Sequence, residues 1–182
     1  MLKEFKPAIR FLVVFLVIYF IGNIVYGLYI ESFGEQADKI TLWVGKQSVG
    51  FIALFDPEVS SAPGVDRPTM QLQKGQDTVV NFFEGCNGVN VMIVFVAFIA
   101  AFKGSWKAMA WFIPLGVLII HFFNLIRIGL LFLSAQHNPQ LFYYFHKYIF
   151  TAFIYAVVFL LWWIWVMKVG HPQKKSTENA GQ

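Results

Sequence analysis

Cys86, Arg127 and His146 are the residue types that a thiol acyl-transfer reaction requires. A thiolate attacks a carbonyl, an imidazole exchanges the protons, and a guanidinium holds the oxyanion or steadies the thiolate. Cys86 is the only cysteine of the chain, which excludes an internal disulfide. It lies in Glu84-Gly85-Cys86-Asn87-Gly88, where two glycines let backbone come close to a ligand and a helix is expected just beyond. A helix N-terminus favours the thiolate, so a lowered thiol pKa is expected. The competing reading is a small apolar filler. Arg127 closes the run His121-Phe122-Phe123-Asn124-Leu125-Ile126-Arg127, and a charge flanked by apolar residues needs a partner. Asn124, one turn earlier on the same face, is placed to orient it. The competing role for Arg127 is snorkelling to lipid headgroups. His146 stands beside Tyr143, Tyr144 and Tyr148, while His137, in Gln-His-Asn-Pro, is its rival for the third place.

The elements that must carry these residues belong to a membrane. Of 182 residues, 58% are hydrophobic, 19% aromatic and only 13% charged, far from the composition of a soluble domain. That excludes a cytosolic enzyme and a nucleic-acid binder. Four windows without Asp, Glu, Lys or Arg approach the ~20 residues a helix needs to cross hydrocarbon. They are 11–30, 85–102, 108–126 and 148–167. A fifth window, 128–146, holds Ser134, Gln136, His137, Asn138, Pro139 and Gln140 at its middle, and reads as a loop at the membrane surface. The first window is too long for a signal peptide and lacks a small-residue cleavage site, so it reads as an anchor.

Charge sets the expected threading. Lys3, Lys6, Arg10, Lys103, Lys107, Lys168, Lys174 and Lys175 oppose only Glu4 and Glu178, which assigns both termini and the turn at 103–107 to the cytoplasm. The remainder carries six Lys/Arg against eight Asp/Glu and faces outward. The expected fold is therefore all-α and integral to the membrane: a four-helix bundle, N-in and C-in, forming one domain over 1–182. Its helices lie at about 11–30, 86–102, 108–126 and 148–167, its outer segments at about 31–85 and 127–147, and its cytoplasmic tail at 168–182. In the first outer segment, Ala37, Ile40, Val44 and Phe51 predict an interfacial amphipathic helix. Beyond the breakers at Asp56-Pro57 and 60–64, Met70-Gln71-Leu72 and 78–82 predict a hairpin around Lys74-Gly75-Gln76.

Depth ties the three residues together. Cys86 lies 17 residues from Lys103, Arg127 20 from Lys107, and His146 22 from Lys168. At 1.5 Å per residue these are about 25, 30 and 33 Å, so all three reach the outer interface. His121 is too deep and His171 falls in the tail. One cysteine and scattered histidines lack metal-ligand spacing, and no phosphate-binding glycine loop precedes a helix, so neither metal nor cofactor is expected.

Glu84-Gly85-Cys86-Asn87-Gly88 opening one membrane helix, Asn124-Leu125-Ile126-Arg127-Ile128 closing the next, and a histidine before the last resemble the exosortase/archaeosortase family, over about residues 70–167. The short chain is most similar to the compact F-type exosortases. The resemblance implies a cysteine transpeptidase-like membrane enzyme that cuts exported proteins at a C-terminal sorting signal made of a short motif, a membrane helix and a basic tail. It implies Cys86 as nucleophile, with Arg127 and His146 as partners and Glu84, Asn87, Gly88 and Asn124 in support. Asn87 stands where typical exosortases have serine, and 147–151 lacks the Gly-Trp pair that commonly follows their histidine. Membrane lipids and a separately encoded partner for substrate selection are further expectations. A reading of another class is a non-enzymatic membrane assembly or export subunit, in which Cys86 merely packs.

Overall fold

Long runs of Leu, Ile, Val and Phe without charge close their backbone hydrogen bonds within a helix, the solution open to a single segment in lipid. The computed structural model of the chain describes residues 2–64, 68–102 and 104–169. The first such run is α1 (Leu2–Glu31). After a turn at Gly34, α2 (Lys39–Ile52) begins at Asp38, whose Oδ1 accepts from the amides of Ile40 at 2.9 Å and Thr41 at 3.0 Å. That cap satisfies donors the first helical turn leaves without partners. Three antiparallel strands follow in the order β1 (Val59–Pro63), β2 (Met70–Lys74) and β3 (Asp77–Phe82). Gly75, at φ 59°, makes the left-handed turn between β2 and β3.

A 3-10 turn, Glu84–Cys86, leads into α3 (Val89–Ala101). Then come α4 (Trp106–His137), the short α5 (Pro139–Tyr144), a π-helical segment Phe145–Ile149, α6 (Phe150–Ile164) and a second π-helical segment, Trp165–Val169. Among the described residues, three stretches are long and apolar enough to cross a membrane: Phe5–Glu31, Trp106–His137 and Pro139–Lys168. α3, which lies within the expected crossing at 86–102, has 13 residues. It spans about 20 Å, short of the ~30 Å core.

Several boundaries depart from expectation. The helix expected at 108–126 runs on to His137, and the outer segment expected at 127–147 is almost wholly helical rather than a loop. Polar side chains do not interrupt a helix whose backbone is internally bonded; the break falls at Asn138-Pro139, where Pro139 removes an amide and starts the next helix. The expected helix 11–30 begins instead at Leu2, and that at 148–167 is part of a longer rod. The chain is not purely α either, because the expected hairpin gains β1 from a stretch with the composition of a breaker. An edge strand tolerates Pro63 at its end. The expected cytoplasmic residues Lys103, Lys174 and Lys175, with His171, lie outside the described residues.

Two cores result. Phe95 and Ile99 of α3, Phe112 and Ile120 of α4, and Ile154, Val158 and Trp165 near the chain's end form the bundle core. Val44 and Ile52 of α2, Met70, Leu72 and Phe82 of the sheet, and Ile128 and Phe132 of α4 form the second. Cys86 belongs to this second core, at the seam between sheet and bundle.

Candidate active site

The turn carrying Cys86 is built to face α4. Phe82 anchors the end of β3, the Cys86 amide bonds the Phe83 carbonyl at 2.9 Å, and Gly88 then takes φ 86° as the N-cap of α3. A side chain at Gly88 would be strained there, and its Cβ would press on Asn124 at 3.2 Å. Glycine thus brings the loop onto α4. Asn124, wholly buried, donates from Nδ2 to the Cys86 carbonyl at 3.0 Å and accepts on Oδ1 from Nη1 of Arg127 at 3.3 Å. One amide therefore holds both the loop backbone and the guanidinium.

The sixty-residue gap to His146 closes in space. Its Nε2 lies 3.8 Å from the Cys86 Sγ. The π-helical segment positions it: the Phe150 amide bonds the Phe145 carbonyl five residues back, and the Thr151 hydroxyl donates to the His146 carbonyl at 3.2 Å. Such single π-turns widen a helix by one residue and recur at functional positions. The Phe142 ring stacks on the imidazole with centroids 5.9 Å apart. His137 is turned elsewhere, its Nδ1 against the Leu133 carbonyl at 3.0 Å, beside a groove of about 550 Å³ that is also lined by Phe51, Asp56 and Lys74.

Arg127 is 6% exposed, and no carboxylate lies within ion-pair distance of it among the described residues. Its Nε has no hydrogen-bond partner. A buried guanidinium with a free donor is costly unless something anionic or polar completes it. Its charge acts on the Cys86 thiol, favouring the thiolate, but burial outweighs it and pushes the thiol pKa up, with Glu84 adding to the rise. The lowered pKa expected from a helix N-terminus is therefore not met: Cys86 precedes the cap of α3 and sits 4% exposed in an apolar core.

Tyr26, Thr41 and Asp38 escape motif reasoning, yet they reach the same turn. Asn87 Nδ2 donates to the Tyr26 hydroxyl at 2.5 Å and to Thr41 Oγ1 at 2.9 Å, while its Oδ1 accepts from the Val89 amide at 3.0 Å. Nothing local marks these residues, because the pairs are 61 and 46 positions apart. Among the described residues, no group of three or more His, Cys, Asp or Glu is arranged to hold a metal.

A buried thiol flanked by a histidine and an arginine sits here in a multi-pass membrane protein. The transmembrane exosortase family (Exosortase_EpsH) matches the chain over residues 5–164, and the chain belongs to that family. Exosortases are generally cysteine transpeptidase-like, and this chain has a single cysteine, Cys86. No curated protein and no solved structure matches the chain.

Proposed function

We propose that the protein is a membrane-embedded cysteine peptidase or transpeptidase that cleaves a C-terminal sorting signal from exported proteins through a thioacyl intermediate. The observation that carries this reading is the 3.8 Å approach of Cys86 Sγ to His146 Nε2 beside a buried arginine that has a donor to spare. The Cys86 sulfur attacks the scissile carbonyl carbon as its proton passes to His146 Nε2. The carbonyl oxygen, now an oxyanion, is met by Arg127, whose charge persists at any working pH. Collapse expels the amine of the downstream peptide, which takes the proton from His146. Water or an acceptor amine then attacks the thioester and restores the thiol.

The basic residues at Lys3, Lys6, Arg10, Lys107 and Lys168 support an N-in chain in the cytoplasmic membrane with Cys86 on the extracytoplasmic side. Within the exosortase family, the compact F-type is the subtype this reading adopts. Substrates with a motif, a membrane helix and a basic tail fit that orientation, and a separately encoded partner completes their selection. A second reading, a non-enzymatic assembly or export subunit, draws on the burial of Cys86.

The test is the C-terminal mass of exported proteins in cells carrying Cys86→Ala, Arg127→Ala or His146→Ala at matched protein level. Uncut precursor in the Cys86 and Arg127 variants is expected. Processing by Cys86→Ala at the parental level overturns the reading in favour of the assembly subunit.

A further inference from the structure

The turn that presents the thiol is held from behind by a chain of hydrogen bonds whose polarity runs in one direction. Asn87 is 1% exposed and uses both of its donors and one of its two acceptor sites: two donations from Nδ2, to Tyr26 and Thr41, and one acceptance, from the Val89 amide. The Thr41 hydroxyl, having accepted from Asn87, donates to Asp38 Oδ2 at 2.5 Å. Asp38 is 3% exposed, and its other oxygen is taken by the amides that cap α2. Each link is thus fixed by the one before it, and a buried polar network satisfied in this way rigidifies what it touches. The chain joins three elements remote in sequence: the outer end of α1, the start of α2, and the residue after Cys86.

We propose that Tyr26, Thr41 and Asp38 are positioning residues that clamp Asn87 and thereby hold Cys86 against Arg127 and His146. The inference rests on the reading of Cys86 as nucleophile. It also explains the side chain at this position. A serine has one hydroxyl proton to give and is too short to reach Tyr26 and Thr41 together, whereas asparagine bridges both. With the clamp intact, the charged or titratable groups that face the thiol are Arg127 from α4, His146 from the π-helical segment and Glu84 from its own turn. With the clamp broken, the turn swings away from that set and toward solvent.

The clamp separates two properties that simple unfolding or simple burial would move together. In full-length protein in proteoliposomes, the rate of Cys86 alkylation by a maleimide is measured against pH for the parent, Tyr26→Phe, Thr41→Val, Thr41→Ser and Gln47→Leu. Processing of exported proteins is followed in cells carrying the same variants. Tyr26→Phe and Thr41→Val are expected to speed alkylation about tenfold at neutral pH, with the profile moving down toward that of an ordinary free thiol, while processing falls. Thr41→Ser keeps the hydroxyl and restores the parental profile. Gln47→Leu removes a different α2 to α4 hydrogen bond, the 2.6 Å contact with His121, and leaves the profile unchanged. The proposal is overturned if Tyr26→Phe and Thr41→Val alkylate as the parent does, or if Gln47→Leu shifts the profile as far as they do. Because alkylation needs no catalysis, it reads the clamp even where Cys86→Ala processes normally and the functional reading falls.

Discussion

Asn124 links the backbone of Cys86 to the guanidinium of Arg127, giving a hydrogen to one at 3.0 Å and taking one from the other at 3.3 Å. Both contacts are buried, so Asn124→Ala leaves a carbonyl and an Nη1 unsatisfied at a cost of about 1–3 kcal/mol. The expected outcome is a lower thermal midpoint in detergent together with at least a roughly tenfold loss of processing. Asn124→Asp retains the acceptor but loses the donor to Cys86, so it is expected to keep Arg127 in place and still process poorly. Parental processing by both variants would show that the link is dispensable.

Burial raises the pKa of the Cys86 thiol, and Arg127 limits how far it rises. Replacing Arg127 by Gln removes the lowering influence, so the thiolate forms only at higher pH and alkylation at a fixed neutral pH slows. Arg127→Lys keeps a charge without the planar fork and is expected to fall between parent and Gln. The measurement is the alkylation rate across pH 6–10 on intact protein; an unmoved profile in Arg127→Gln would remove Arg127 from the thiol's electrostatics.

His146 owes its place to a turn with one residue too many. Deleting Ile149, which is exposed, returns Phe145–Ile149 to α-helical spacing and rotates His146 by about 100° relative to α6. Ile154 and Val158 keep their packing, so the thermal midpoint should change little while processing drops toward the level of His146→Ala, about a hundredfold to ten-thousandfold below the parent. Undiminished processing by the deletion would mean that the π-turn has no role in placing the imidazole.

α3 approaches α4 through Gly116, where any added Cβ would overlap the Phe95 ring. Small residues let membrane helices come close, and overfilling such a contact typically costs about 1–3 kcal/mol. Gly116→Ala is expected to lower the thermal midpoint without altering the Cys86 alkylation profile, since the contact lies in the bundle core and not in the core that holds the thiol.

What the sequence discloses and what it hides divide along physical lines. Counting from the charged turns placed Cys86, Arg127 and His146 at one depth, because helix rise is invariant and basic residues mark the ends of spans. In the structure His146 Nε2 lies 3.8 Å from Cys86 Sγ, but through a 3-10 turn ahead of the short α3 on one side and a π-helical segment on the other, neither of which a constant rise describes. At 127–147 the polar residues point to a loop, whereas a helix tolerates Ser134, Gln136 and His137 until Asn138-Pro139 ends it. β1 was hidden for a related reason: its serines and proline are breakers by composition, but the pairing of Val59 with Lys74 and Pro63 with Met70 is supplied by a partner strand. The thiol's raised pKa was out of reach too, because it depends on a core assembled from α2, the sheet and α4.

The separation of the site's residues along the chain carries a last consequence, for biosynthesis. Tyr26, Thr41, Asn87, Asn124 and Arg127 all leave the ribosome before His146, which lies within Pro139–Lys168, the last spanning stretch among the described residues. Since chains emerge from the N-terminus, Cys86 meets the imidazole that lies 3.8 Å from its sulfur only after residue 146 has been made. A nascent chain halted before residue 146 already carries the residues of the Cys86–Asn124–Arg127 link but lacks the imidazole that completes their surroundings, so the last member of this cluster is also the last to be synthesised.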